Sequence, residues 1–443
     1  MDLAPLAANM QALLIPLAEA MAWQNGCCQR TSPLAGAALL QTVVLACLAH
    51  PEPTVEDYAQ VATALGHPVT PQAIDQRFTP PLAQALQALL AEAARVVLSR
   101  NPDTATVLSR FEAVEVQDSS ILTLPDCLAD FWQGGGTTAG GTAAVKVQVR
   151  IDLKSGGLSA IRLEPGRAND HATPLQTSGL VAGTLHLRDL GYFDLEVLRA
   201  IDSAQAFYLS RVQDGTALFA ADGRRLELGT FLGRQQESVV DVPLTLGVQQ
   251  RLACRLVAVR LPQEVADRRR QQAHANGRKK GYTPSQEKLA LCAWNFYVTN
   301  VSADRLSVDD VLALARARWQ IECLFKQWKS DGGLGRVRST KPWRVIGEIV
   351  GRLLALLIQH AVLVQCVWQR ANRSLRRAAK AVRRQAGHLL RALADLSELL
   401  RALQAIEESL SKTARVDKRR KHPSAFQVLT DPKTYGYKRL DLA

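Results

Sequence analysis

The sequence has few of the features that mark secreted or zinc-binding proteins. Its 443 residues include eight cysteines, but no CxxC pair and no Cys/His cluster with the spacing of a zinc site. Only Cys27 and Cys28 are adjacent in the chain. The first ten residues contain an acidic residue and no basic cluster, which argues against a signal peptide. We therefore expect a reduced, cytoplasmic chain.

No uninterrupted apolar segment has the length of a typical membrane span. The most apolar stretch, residues 353–368 (LLALLIQHAVLVQCVW), is short and is interrupted by Gln359, His360 and Gln365. We expect this stretch to be a buried helix and expect no membrane partner.

Acidic residues are too few to balance the basic ones. The chain has 54 Lys and Arg against 41 Asp and Glu, a formal net charge of +13. With 47% hydrophobic and 21% charged residues, the composition is otherwise that of a globular protein. A basic excess of this size points to a polyanionic partner, and nucleic acid is the leading candidate. The alternative is a basic protein that its charge keeps in solution.

The hydrophobic patterning changes along the chain. Residues 1–108 have helical periodicity and predict a helical N-terminal DNA-binding domain. Two of its helices begin after Thr54 and Thr70, with a glycine turn between them, which fits either a helix-turn-helix or a plain helical bundle. Residues 346–443 predict a helical, basic C-terminal domain. Its eight basic residues between 370 and 391 form either a DNA-facing surface or a solvated helix face, and its tail adds the KRRK run at 418–421.

Between these flanks the sequence alternates like β-strands. The order of predicted strands, with a helix at about 195–203, indicates an α/β protein with an RNase H-like catalytic core, whose first part is 109–212. Residues 213–303 predict a β-rich insertion with one exposed basic loop, which contains two basic runs: Arg268, Arg269 and Arg270, and Arg278, Lys279 and Lys280. The core resumes in 304–345. The glycine-rich segment 134–141 lacks a GK[ST] ending and predicts a hairpin loop, not a phosphate loop.

Three carboxylates stand where such a fold could gather them. Asp118 and Asp189 each close a predicted strand, and the carboxyl ends of parallel strands meet at one crevice. On the helix predicted over 309–330, Glu322 lies in a charged stripe with cations, beside an apolar face. The alternative is a solvated salt-bridge face. Three neighbouring carboxylates need a cation and suit Mg²⁺ or Mn²⁺, and two such ions can act on a phosphodiester.

The segment 314–329 (LARARWQIECLFKQWK) resembles the Tyr-x2-Arg-x3-Glu-x6-Lys signature of bacterial insertion-sequence DDE transposases of the IS-four family. Arg318, Glu322 and Lys329 are in register with that signature, whereas Ala315 stands at its Tyr position. The segments VQDSS and RDLGYF resemble the family's two aspartate motifs and give Asp118 and Asp189. The long β-rich insertion is also a family trait.

The resemblance implies a cut-and-paste transposase that cleaves transposon ends, with a hairpin intermediate. Asp118, Asp189 and Glu322 would then hold Mg²⁺ or Mn²⁺, and Arg318, Lys326 and Lys329 would hold DNA phosphates. Trp294 matches a residue that receives a flipped base in similar enzymes; the alternative is a core tryptophan.

The partners implied are double-stranded DNA, as terminal inverted repeats and target, and a second copy of the chain in a synaptic homodimer. The location implied is the bacterial nucleoid. The alternative functions are a catalytically impaired, transposase-derived DNA-binding regulator, which Ala315 supports, and an RNase H-like nuclease that cannot join DNA.

Overall fold

The computed structural model describes residues 2–27, 34–96, 107–135, 143–368, 370, 372–416 and 425–431. Residues 136–142, which include most of the glycine-rich segment, lie outside these ranges, and so does the KRRK run at 418–421. The α-helices in the described part are α1 (Ala4–Ala12), α2 (Ala18–Gln24), α3 (Ala37–Ala49), α4 (Val55–Ala64), α5 (Pro71–Asp75), α6 (Pro80–Val96), α7 (Leu195–Ser203), α8 (Leu228–Gly233), α9 (Gln263–Lys280), α10 (Gln286–Leu291), α11 (Val308–Ala317), α12 (Trp319–Ser330), α13 (Pro342–Val367), α14 (Leu375–Arg384), α15 (Ala386–Ala392), α16 (Leu396–Thr413) and α17 (Ala425–Thr430).

The strands are β1 (Val114–Thr123), β2 (Ala144–Asp152), β3 (Leu158–Pro165), β4 (Leu185–Arg188), β5 (Phe207–Ser210), β6 (Leu218–Phe219), β7 (Arg225–Leu226), β8 (Val239–Leu246), β9 (Leu252–Arg260) and β10 (Trp294–Thr299). Their order is β3-β2-β1-β4-β5-β10-β9-β8-β6-β7. β1 pairs with β4 and β4 with β5 in parallel, whereas β2 pairs with β3 antiparallel. The first five strands in this order form the sheet of an RNase H-like α/β core, which confirms the predicted fold class.

The chain divides into two compact units. The first consists of Met1–Thr104, Asp118–Ala168 and Ile321–Arg419, and the second of Ala105–Gln117, Asn169–Gln320 and Arg420–Ala443. Strand β1 therefore contributes its first four residues to the second unit and its remainder to the first.

Helix α13 is the central helix of the first unit. It packs against α3, α6 and α14, and its side chains from Val345 to Val367 are all buried. It is the one helix in the described residues long and apolar enough to cross a membrane, but the qualifying window is wholly buried. A Cβ on Gly351 would lie 2.6 Å from Val43 Cγ1, so this glycine permits the close approach of α3 and α13. The prediction of a buried helix over residues 353–368 is confirmed, except that the helix ends at Val367.

The N-terminal helices begin where the sequence predicts. Thr54 caps α4 in a capping box with Asp57, in which each side chain accepts a hydrogen bond from the other residue's backbone N–H. Helix α5 is only five residues long, and its Asp75 is held 2.7 Å from Lys341 and 2.8 Å from Arg344. Because so short a helix is fixed to α13, the arrangement favours the helical-bundle alternative over a helix-turn-helix.

The second unit has a hydrophobic core between α7 and its own strands. Leu198, Ile201, Tyr208, Leu256 and Val298 lie in this core and are fully buried. Strands β8, β9 and β10 form consecutive antiparallel pairs, as expected for a β-rich segment.

The same region contains three helices that the sequence did not predict, α8, α9 and α10. Arg278, Lys279 and Lys280, predicted in an exposed loop, form the last turn of α9, so the loop prediction is wrong. The residues of α9 are good helix formers even though they lack an apolar stripe.

Candidate active site and nucleic-acid contacts

Of the two predicted catalytic aspartates, Asp118 lies within β1 and Asp189 directly follows β4. In the second unit Val116 of β1 is paired with Leu187 of β4. Asp118 and Asp189 each follow two residues after this pair. The prediction that Asp118 closes its strand is wrong, because β1 continues to Thr123. Asp189 directly follows β4 and starts a short 3₁₀ turn, in which Tyr192 N–H donates to the Asp189 carbonyl.

A buried arginine fixes the register of these strands beside Asp189. Arg188, 3% exposed, donates from one nitrogen to the side-chain oxygens of Gln117 and Gln176, each at 3.1 Å, and from another to the Gln176 carbonyl at 2.9 Å. The side chain therefore ties β4 both to β1 and to the segment that precedes it. We did not predict this role from the sequence, although Arg188 stands in the motif RDLGYF.

Residues from two separate sequence motifs meet in the second unit. The Arg318 guanidinium lies 3.5 Å from an Asp189 carboxylate oxygen, with both side chains partly exposed. The two residues are far apart in sequence and were predicted independently. The positive charge of Arg318 thus offsets the negative charge of Asp189.

The helix predicted over residues 309–330 is two helices. α11 ends at Ala317 and α12 begins at Trp319, with Arg318 between them. The apolar face of α12 is anchored as predicted, because Ile321, Leu324, Phe325 and Trp328 are buried. Glu322 lies in the first turn of α12 and is partly exposed. A carboxylate near a helix N-terminus is stabilised by the helix dipole.

Lys329, the lysine of the signature, is attached to β1 in the first unit. Its Nζ donates to the Ile121 carbonyl at 2.8 Å, and burial lowers the pKa of this lysine. This contact holds the C-terminal half of α12 against the strand that carries Asp118. Lys326, one turn earlier, is exposed.

The basic turn of α9 is available for contact. Arg278, Lys279 and Lys280 are all exposed, and Gly281 ends the helix in the left-handed conformation with φ of 71°. Cations in the last turn of a helix also interact favourably with its dipole. These three side chains remain candidates for phosphate contacts.

Trp294 occupies a core position. It is 3% exposed, lies in the hydrophobic core of the second unit, and has the Arg260 guanidinium 4.6 Å above its ring. A base cannot stack on a ring that is covered in this way. The geometry agrees with the alternative of a core tryptophan, and the prediction of a base-accepting role finds no support in it.

Asp118 and Glu322 belong to the first unit, and Asp189 to the second. Among the described residues, no group of three or more His, Cys, Asp and Glu side chains stands arranged to hold a metal ion. The chemistry of the three predicted ligands nevertheless suits a hard divalent ion, because carboxylate oxygens are the donors that Mg²⁺ and Mn²⁺ prefer. Asp189 is also accessible, with 38% of its side chain exposed.

The sequence comparisons identify the family. The family model described as the transposase DDE domain matches residues 113–358, more than half of the chain. The chain therefore belongs to the transposase DDE domain family. This match confirms the resemblance on which the expected enzyme class rests.

The curated relatives are bacterial insertion-sequence transposases. The chain is 27% identical over 321 residues to the transposase of insertion sequence element IS231B from Bacillus thuringiensis subsp. berliner, covering 68% of this chain and 67% of that protein. It is 28% identical over 317 residues to the transposase of IS1151 from Clostridium perfringens, covering 66% of each.

Among solved structures, a cryo-EM structure of the piggyBac transposase synaptic complex with hairpin DNA aligns with a TM-score of 0.45 at 8% identity. The alignment covers 92% of this chain and 83% of that one. At this score the similarity supports no argument about the site.

Proposed function

We propose that the chain is a cut-and-paste transposase that cleaves the ends of its element and joins them to target DNA. Membership of the transposase DDE domain family supports DNA transposition as the general function. The observation that carries the proposal is the contact between Asp189 and Arg318, because it joins the second aspartate motif to the Arg-Glu-Lys signature.

In this proposal Asp118, Asp189 and Glu322 hold two divalent ions, Mg²⁺ or Mn²⁺. Bound there, the ions would activate a water or a 3′-hydroxyl and stabilise the leaving oxygen of the phosphodiester. The paired register of β1 and β4 supports the assignment of Asp189, since this residue stands two positions beyond Leu187, which pairs with Val116 in the second unit.

The cations predicted to contact DNA would bind its backbone. Arg318 is a partly exposed cation beside Asp189, and Lys326 is exposed on the same helix as Glu322. Lys329 would act by positioning α12 through Ile121. The last turn of α9 supplies three further phosphate ligands.

The assembly implied is a synaptic homodimer on two terminal inverted repeats, acting on nucleoid DNA. A hairpin intermediate would need a base platform, and Trp294 would have to leave its core position to provide one.

The experiment compares Glu322→Gln with the unchanged protein on duplexes that carry the ends flanking its gene, in Mg²⁺. We expect Glu322→Gln to lose cleavage by several orders of magnitude while DNA affinity stays within a few fold, because the substitution removes a metal ligand and preserves shape. Glu227→Gln is the matched control, since Glu227 is an exposed glutamate outside the signature, and it should cleave normally. Cleavage by Glu322→Gln at the unchanged rate would contradict the assignment.

Ala315 favours a second candidate, a DNA-binding regulator with impaired catalysis. The residue lies on α11, where the signature has a tyrosine. If the unchanged protein binds the ends without cutting them and Ala315→Tyr cuts them, this candidate is correct.

A further inference from the structure

A second cluster of positive side chains surrounds an open cleft in the first unit. The cleft has a volume of about 460 Å³ and lies between the turn before α4, the C-terminal end of α12 and the C-terminal end of α14. Its walls carry five cations, Arg336, Arg338, Lys380, Arg383 and Arg384. They also carry two carboxylates, so the formal charge of the walls is +3 (5 − 2) with neutral histidine.

One side of the cleft carries two exposed ion pairs and a hydrogen bond from a buried arginine. The Glu52 carboxylate lies 2.5 Å from Arg336 and 3.4 Å from Arg338, and these guanidinium groups lower the pKa of Glu52. The Arg336 carbonyl in turn accepts a hydrogen bond from Arg352, a fully buried residue of α13 that also pairs with Glu348. The backbone at Arg336 is therefore tied to the buried interior of α13, and Glu52 draws the Arg336 and Arg338 side chains to the cleft.

The other side has cations in excess of its acids. Asp331 lies 2.6 Å from Arg376 and 3.4 Å from Lys380. Among the described residues, the side chains of Arg383 and Arg384 make no hydrogen bond or close ion pair, although Arg383 is half-buried. Burial lowers the pKa of Arg383, because the loss of solvation outweighs the favourable interaction of its charge with the Asp331 carboxylate. Such a position favours an anion from outside the chain.

We propose that this cleft binds the phosphodiester backbone of DNA beside the cleavage site. The inference rests on the proposed function and adds a second, separate contact to it. The ligand is a polyanion because five positive groups from two segments, residues 336–338 and α14, line an open cleft, and guanidinium groups suit phosphate oxygens.

The position of the cleft predicts which phosphates it contacts. Helix α12 runs from Glu322 near its start to Ser330, which lines the cleft. At about 1.5 Å per residue these eight steps span about 12 Å. Phosphates advance about 3.4 Å along each strand of B-DNA, so the cleft would contact the backbone about three to four nucleotides from the bond served by Glu322.

The test measures how the DNA affinity of the double variant Arg383→Ala/Arg384→Ala depends on salt concentration, on a duplex that carries an end of the element. Each lost phosphate contact reduces the slope of log affinity against log salt by about 0.9, so we expect a decrease of about 2. The control is Arg391→Ala/Lys412→Ala, which removes the same charge from exposed positions of α15 and α16 outside the cleft and should change the slope much less. An unchanged slope in the cleft variant, or equal changes in both, overturns the proposal.

Two further variants protect the test against misfolding and against failure of the proposed function. Arg384→Ala alone alters an exposed side chain and should lower the slope by about 1. Glu322→Gln should keep the full slope, so loss of cleavage and loss of the cleft contact are measured separately. If Glu322→Gln cleaves normally, the catalytic assignment fails, and the slopes still decide whether the cleft binds DNA.

Ethylation of single phosphates in the duplex tests the position. We expect ethylation about three to four nucleotides from the cleaved bond to weaken binding by the unchanged protein. The same ethylation should not weaken binding by Arg383→Ala/Arg384→Ala any further, because that variant has already lost the contact. If no phosphate behaves in this way, the cleft does not contact the backbone there.

Discussion

At the scale of single residues, Arg188 and Arg318 show how two arginines flank the same aspartate in different ways. Arg188 is buried and hydrogen-bonded to Gln117 and Gln176, so it fixes the position of β4, the strand that Asp189 directly follows. Arg318 is partly exposed and contacts the Asp189 carboxylate itself. The sequence motif identified Arg318, whereas the role of Arg188 depends on Gln176, a residue in no motif. Such long-range partners cannot be predicted from one sequence.

We expect Arg188→Met to lower the free energy of unfolding by about 1–3 kcal/mol, because buried oxygens of Gln117 and Gln176 would lose their donor. The measurement is urea denaturation. The control is Arg199→Met, which breaks an exposed ion pair with Glu196 and should cost about 1 kcal/mol or less. Equal losses in the two variants would contradict the structural role of Arg188.

At the scale of elements, the interior of α13 joins this helix to the β2–β3 hairpin. His360 Nε2 lies 2.7 Å from the Gly156 carbonyl, and Trp368, next after the helix, donates to the Leu153 carbonyl at 3.3 Å. His360 is buried, and desolvation lowers its pKa to about 4. The ring is therefore neutral in the folded protein at neutral pH.

This histidine makes the stability of the protein depend on pH. Between the folded pKa of about 4 and the unfolded value of 6.5, the unfolded chain binds more protons, so stability is highest above pH 6.5 and falls as the pH drops towards 4. The full difference corresponds to about 3 kcal/mol.

We expect His360→Gln to reduce this dependence, measured as the free energy of unfolding at pH 7 and pH 5. His274→Gln, an exposed change on α9, should leave it intact. The same loss of stability with pH in His360→Gln and in the unchanged protein would contradict this origin.

The elements themselves were predictable to different degrees. Alternating apolar residues predicted the strands of the core, and helix α7 has the predicted bounds, since both patterns reflect burial on one face. Helix α9 was missed because its sequence, QEVADRRRQQAHANGRKK, has few buried positions and little apolar periodicity. The break at Arg318 was missed because a continuous helical pattern carries no signal for a local interruption.

At the scale of the whole molecule, the sequence predicted the α/β class and the family better than it predicted the site. The strand order depends on pairing between segments that are distant in sequence. The family match includes Asp118, Asp189 and Glu322. The cleft around Arg336 and Arg384 was not predicted, because it combines segments from three distant parts of the chain.

The central claim is that Asp118, Asp189 and Glu322 hold the metal ions for DNA cleavage. The most direct test replaces Asp189 by Cys and compares cleavage of the element's ends in Mg²⁺ and in Mn²⁺, with Asp189→Ser as the control. A thiolate is a softer ligand than a carboxylate and accepts Mn²⁺ more readily than Mg²⁺. We predict that Asp189→Cys is inactive in Mg²⁺ and regains cleavage in Mn²⁺, while Asp189→Ser stays inactive in both. Full activity of Asp189→Cys in Mg²⁺, or equal behaviour of the Cys and Ser variants in Mn²⁺, would contradict the claim that this side chain binds the metal.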